Sequence, residues 1–230
     1  MSRFYAQFIS SGDLCFDIGA HVGSRLRAWT PLGARIVALE PQPGCMTLLR
    51  HWFGSQPQIT LIEQAVGAAP GIAELLVSSR TPTVTTLSSN WIATVQQARG
   101  FATVRWNDRV PVTVTTLDAL IAHHGIPAFC KIDVEGYEWA VLQGLSQPIP
   151  ALSFEYLPVY LDNARACVAR LATLGPYVFN WSVGEAQCLQ SAHWLTATAL
   201  LERLATQAWT GQSGDIYACL RDVWRQKGWL

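Results

Sequence analysis

Residues 14–23, reading L-C-F-D-I-G-A-H-V-G, constrain the fold more than any other stretch of the chain. A short apolar run carrying Asp17 meets Gly19 and Gly23, and a helix-like segment follows. That pattern reads as a buried parallel strand ending in a tight turn. Glycine at 19 lets the backbone turn sharply and leaves room for a ligand, because no Cβ stands in the way. The next helix would offer unpaired N–H groups at its start, where an anionic group can sit. The plain alternative is a strand, turn and helix that bind nothing.

The glycine spacing separates the possible cofactors. A dinucleotide fingerprint needs G-x-G-x-x-G, whose glycines pack beneath a pyrophosphate. Here the pattern is Gly19-x-x-x-Gly23, with Asp17 directly before the turn. A carboxylate facing the ligand suits a phosphate-free cofactor whose amino or sulfonium group is positive. This points to S-adenosylmethionine rather than NAD.

At 230 residues the chain is long enough for one α/β domain with a sizeable core. Residues 1–230 are therefore expected to form a single domain with an insertion at about 67–114. Sixteen Lys and Arg balance sixteen Asp and Glu, so nothing argues for electrostatic capture of nucleic acid. Six cysteines without a C-x-x-C pair argue against a disulfide framework and for a reducing, cytoplasmic setting. Cys15, Cys130 and Cys219 lie in apolar runs and read as small buried hydrophobes. No signal peptide is evident, and no apolar run reaches the length of a membrane span. Ten tryptophans call for explanation, among them Trp91, Trp106, Trp181, Trp194, Trp209, Trp224 and Trp229. Packing is the simpler account; stacking on a sugar, or a homodimer contact through the Trp-rich tail, is the alternative.

Along the chain, residues 24–29 can form a helix, stopped by Thr30-Pro31 and Gly33. Residues 35–40 are an apolar strand ending in an acid, and Pro43 favours the first turn of a helix through about Phe53. Residues 58–62 give a third strand, so the order β-α-β-α-β implies a parallel sheet with right-handed crossovers. From 66 to 114 the alternation breaks down. Strand-like runs at 73–77 and 110–114 suggest an inserted β-ribbon, and the Ser/Thr-rich 78–90 stretch reads as a mobile loop over the site or a plain solvated loop. Then come a helix at 116–123 capped by Thr115 or Thr116, a strand at 128–132, a helix at 137–142 and a strand at 151–155. A helix at 164–174, a strand at 177–180, a helix at 199–208 and a strand at 215–220 would complete a seven-stranded sheet. The fold class is α/β and Rossmann-like, mostly parallel, with helices on both faces.

Four strands end in carboxylates: Asp17, Glu40, Asp133 and Glu155. Open parallel sheets bind ligands beyond the carboxyl ends of their strands, where strand order reverses. A lone terminal acid is often only a helix cap, which remains open for Asp133. Glu40 falls about 20 residues past the glycine turn, where an acid can accept both ribose hydroxyls of an adenosine. Gln64 and Ala65, after the third strand, are placed to meet an adenine edge.

The motifs D-I-G-A-H-V-G, A-L-E-P-Q-P, Q-A-V-G, V-T-T-L-D-A-L-I, K-I-D-V-E-G-Y-E-W-A-V-L-Q-G and S-F-E-Y resemble the FkbM family of S-adenosylmethionine-dependent methyltransferases. The resemblance covers roughly residues 13–157. It implies a class I methyltransferase fold, with Asp17, Gly19, Ala20, His21 and Gly23 around the methionine end of the cofactor. Glu40 with Pro41 would hold the ribose, Gln64-Ala65 would flank the adenine, and Asp133 would lie nearest the transferring methyl. His21 and Gln64 stand where the family usually or often has asparagine. Family members methylate hydroxyls on sugars, macrolides and other molecules, so the expected partner is a small-molecule or sugar acceptor.

An alcohol acceptor must shed its proton as the new bond forms, which calls for a nearby base. Asp133 is the first candidate, Glu155 the second and Glu135 the third. His21 has a convenient intrinsic pKa but reads as a positioning or surface residue, and His123-His124 reads as a solvated or dipole-complementing pair at a helix end. The three acids could also offer oxygens to a hard cation such as Mg²⁺, but no His or Cys spacing supports zinc, and no metal ligands are assigned. Two rival functions remain open: an NAD-dependent oxidoreductase, which the missing fingerprint disfavours, and a cofactor-binding module without turnover.

Overall fold

The computed structural model describes residues 1–207 and 212–226. The expected helical position Ala208, Trp209 and Trp229, and the side chain of Trp224, lie outside that description. Helix α1 (Ser2–Tyr5) precedes β1 (Leu14–Ile18), α2 (Ser24–Trp29), β2 (Arg35–Leu39), α3 (Pro43–Phe53), β3 (Ile59–Ile62) and the two-residue β4 (Ala65–Val66). The insertion holds β5 (Gly71–Val77), α4 (Ser89–Val95) and β6 (Asp108–Thr115). The remainder is α5 (Leu117–His124), β7 (Phe129–Ile132), α6 (Glu138–Gln143), β8 (Ala151–Tyr156), α7 (Leu161–Leu174), β9 (Tyr177–Trp181), α8 (Ala197–Gln207), β10 (Gly214–Leu220) and α9 (Arg221–Gln226).

Seven strands form the main sheet in the order β3-β2-β1-β7-β8-β10-β9. All run parallel except β10, which is antiparallel to both β8 and β9. Every residue of β1 and β7 is buried, as central parallel strands covered on both faces require. Adjacent residues serve opposite layers. Phe16 joins a core built with α5, α6, α7 and α8, whereas Cys15 joins a second core built with α1, α2 and α3. Strand order reverses between β1 and β7, so the loops after these two strands diverge and open a crevice. Among the described residues, no helix is long and apolar enough to cross a membrane.

Lys131 breaks the apolar pattern of β7. Its side chain is fully buried, with Nζ 2.7 Å from Asp215 Oδ1 on β10 and 3.2 Å from Asp133 Oδ2. Tyr217 donates a further hydrogen bond to Asp215 Oδ2. Burial alone would discharge this lysine and raise the Asp215 carboxyl, but their mutual attraction wins and holds the acid below its ordinary range.

The insertion differs from a solvated loop. β5 and β6 form the expected ribbon, and β4 adds to β6 in parallel to make a small second sheet. The Ser/Thr-rich segment is pinned by its own hydroxyls: Thr86 Oγ1 donates to Glu135 O at 2.7 Å and accepts from Ser88 N at 2.9 Å. Ser88 then caps α4 by accepting from Trp91 N. Buried Trp91 packs against Gly136, where φ is +84° and a Cβ would collide with Trp91 Cδ1, Cγ and Cβ. The segment is thereby fastened to the turn that follows β7.

Lys131→Met strands Asp215 in the interior without a counter-charge and should cost about 3–5 kcal/mol. Urea unfolding measures the loss, and a double variant with Asp215→Asn should recover part of it. Gly136→Ala should displace Trp91, lower stability by about 1–3 kcal/mol, and shift tryptophan fluorescence to the red.

Candidate functional site

The loops at the carboxyl ends of β1, β2, β3, β7 and β8 enclose a cavity of about 290 Å³. The structure brings Asp17, Gly19, Ala20, His21, Glu40, Pro41, Gln64, Ala65, Asp133, Glu135 and Glu155 together around it. Gly23 is the exception. It does not line the cavity; it adopts φ +82° at the start of α2, where a Cβ would run into Phe53 and Leu49, so both the turn and the packing require glycine. Gly19 lines the cavity at φ +85° and has a second reason to be glycine. A Cβ there would strike the carbonyl oxygen of Asp133, so the glycine lets the β1 and β7 loops approach each other.

Glu40 ties the rim together. Its Oε2 accepts from His21 N at 2.8 Å and its Oε1 accepts from Gln42 N at 2.8 Å. Reaching Glu40 requires His21 to take a left-handed backbone, φ +47°. That conformation is one that asparagine and histidine tolerate better than most residues, so the backbone requirement accommodates histidine where the resemblance leads one to expect asparagine. Burial lowers the His21 pKa. Each Glu40 oxygen keeps a further lone pair for a ligand donor, and burial pushes its carboxyl up to about 7. Asp17 is 1% exposed, and burial likewise pushes it up to about 7. Its Oδ2 has no hydrogen-bond partner.

A second group of acids adjoins the first. One carboxylate oxygen from each of Asp133, Glu135 and Glu155 lies within 4.8 Å of the others. Glu135 holds a left-handed backbone, φ +54°, in the turn that Thr86 grips. Burial first, and the neighbouring acids second, hold Glu135 and Glu155 well above the ordinary carboxyl range. The buried Oε2 of Glu155 has no partner. Glu138 supports the turn from below, accepting from Val134 N, Gly136 N and Asn163 Nδ2.

Sequence reasoning missed several contributors. Thr83, Thr85, Thr86 and Leu87 of the insertion form one wall, Tyr137 lies beside Glu135, and Glu185 comes from the segment after β9. Arg25 of α2 is the single Lys or Arg lining the cavity among the described residues. A lysine inside the apolar run F-C-K-I was a readable sign of a buried ion pair, whereas nothing local marked Arg25. No tryptophan lines the cavity among the described residues; Trp29, Trp91 and Trp181 are instead buried in the packing.

Six carboxylates against one guanidinium make this cavity hostile to a pyrophosphate and hospitable to a ligand carrying positive charge. The unpartnered oxygen of Asp17 and the lone pairs left on Glu40 fit the ammonium and ribose hydroxyls of an adenosyl amino acid.

The precorrin-6y C5,15-methyltransferase of Geobacter metallireducens shares the fold at TM-score 0.50 and 14% identity, over 94% of this chain and 84% of that one. The C-terminal domain of the Rhodobacter capsulatus precorrin-6Y C5,15-methyltransferase gives 0.45 and 12%, over 95% and 86%. A TehB-like SAM-dependent methyltransferase from Corynebacterium glutamicum gives 0.46 and 8%, over 96% and 86%. No curated protein matches the sequence. The methyltransferase FkbM domain matches residues 17–160, which span the glycine turn, the Glu40 rim, the insertion and the acidic turn after β7. The chain belongs to the FkbM family of S-adenosylmethionine-dependent methyltransferases.

Proposed function

We propose that this methyltransferase acts on a hydroxyl group of a sugar, a glycan or a small-molecule natural product, and that the chain works as one domain, insertion included. The observation that carries the reading is the trio Asp133, Glu135 and Glu155, gathered at the edge of the cofactor cavity. A nitrogen acceptor with a free lone pair needs no base to begin the transfer. An alcohol does, and carboxylates held within 4.8 Å of one another can take up and share its proton.

S-adenosylmethionine, when bound, supplies a methyl carbon on a cationic sulphur. The chain's own residues then have separate tasks. Asp17 receives the ammonium, Glu40 and the adjoining Pro41 hold the ribose, and Gln64 with Ala65 flanks the adenine. Gly19 and Ala20 bring the backbone close, while His21 fixes the rim through Glu40. Asp133, whose Oδ2 is oriented by Lys131 at 3.2 Å, accepts the hydroxyl proton. Glu155 is the second candidate and Glu135 the third. Thr83, Thr85, Leu87 and Tyr137 form the wall against which an acceptor would lie, excluding water and fixing its approach.

The test is radiolabelled methyl transfer to a panel of sugar and natural-product alcohols, with calorimetry of S-adenosylhomocysteine binding beside it. Asp133→Asn and Glu155→Gln are each expected to slow transfer, the stronger effect reaching roughly 10²- to 10⁴-fold, with cofactor affinity little changed. Undiminished transfer in both variants would remove the proposed base. Binding without transfer to any acceptor would favour a non-catalytic module.

A further inference from the structure

Arg25 occupies an unusual position for a half-buried cation. It is the second residue of α2, close after the glycine turn, and it is among the residues that line the cavity. The five ion pairs among the described residues do not include it. Its Nε is buried without a hydrogen-bond partner, and its one side-chain hydrogen bond among the described residues is Nη1 to the Met1 sulphur at 3.7 Å, a weak acceptor. Burial would weaken its charge, but Tyr5, Asp215, Asp133 and Asp17 outweigh burial and keep it protonated. A buried donor of this strength without an acceptor is costly, and such exceptions in a folded protein call for a reason.

The same cavity holds a second orphan of opposite sign, Asp17 Oδ2, at the end of β1 just before the turn. Two oppositely charged groups therefore flank one loop without pairing. A zwitterionic amino acid would satisfy both at once, its ammonium on Asp17 and its carboxylate on the guanidinium. The rest of an S-adenosyl ligand offers no competing anion, since adenosine is neutral and the sulphur is neutral or positive. One anionic group thus meets one cationic side chain.

We propose that Arg25 anchors the α-carboxylate of the methionine portion of the donor, and so selects adenosyl ligands that keep that carboxylate over their decarboxylated forms. This rests on the reading that the cavity takes S-adenosylmethionine. Arginine suits the task because its planar fork matches both oxygens of a carboxylate.

The experiment is calorimetry on the full chain with two probes, S-adenosylhomocysteine and its decarboxylated analogue S-adenosyl-3-thiopropylamine. The wild-type protein should prefer the first by roughly 10- to 100-fold. Arg25→Gln should lose that preference by weakening S-adenosylhomocysteine alone, and Arg25→Lys should keep part of it. Equal affinity of the wild type for both probes would overturn the assignment while leaving the cofactor reading intact. Equal weakening of both probes in Arg25→Gln, a structural effect, would overturn it as well. Failure of the wild type to bind either probe would bring down the cofactor reading and this inference together.

Discussion

Burial of like charge governs this molecule. Asp17, Glu40, Glu135, Glu138 and Glu155 crowd the carboxyl edge of the sheet, where burial raises every one of them and, for all but Glu40, neighbouring acids raise the cost of ionising further. The fold can hold them there for two reasons. The reversal of strand order between β1 and β7 opens a crevice at that edge, and Lys131 supplies an internal ammonium between Asp133 and Asp215. Backbone amides neutralise part of what remains: two reach Glu40 and two reach Glu138.

The arrangement has a signed consequence for pH. Asp17 and Glu40 carry folded-state pKa values of about 7, above their ordinary 3.8 and 4.5. Their protons are held more tightly by the native state than by the unfolded chain. Their contribution to stability is therefore complete at acidic pH and declines as the pH rises from about 4 to about 7. A cationic ligand prefers the ionised carboxylates, so its binding gains over the window in which the empty fold loses. Strain in the site is thus resolved by the ligand the site is built to take, a common arrangement where function opposes stability.

Much of this was legible in the sequence, and the reasons are physical. Central parallel strands are apolar on both faces, so residues 14–18 and 129–132 announced themselves, and acids at their ends marked the ligand edge. The spacing from Gly19 to Glu40 foretold that the two would share a rim. What escaped depended on contacts between distant segments. Helix α4 hid in a Ser/Thr-rich stretch because Ser88 capping Trp91 looks locally like a loop. Gly19 and Gly23 read as glycines of a ligand loop; the folded chain adds that the first also makes way for the Asp133 carbonyl and the second for Phe53 and Leu49. Arg25 drew no notice on its short helix, since only the folded chain shows that it meets the cavity.

The central claim is that buried carboxylates form a receptor for positive charge, and their own titration examines it most directly. Carboxyl ¹³C NMR of the wild-type protein, with Asp17→Asn and Glu40→Gln for assignment, would follow both groups with and without S-adenosylmethionine. Apparent pKa values of about 7 are expected in the free protein, both moving down when the ligand is added. Titration near 4 for both groups, unmoved by the ligand, would contradict the claim.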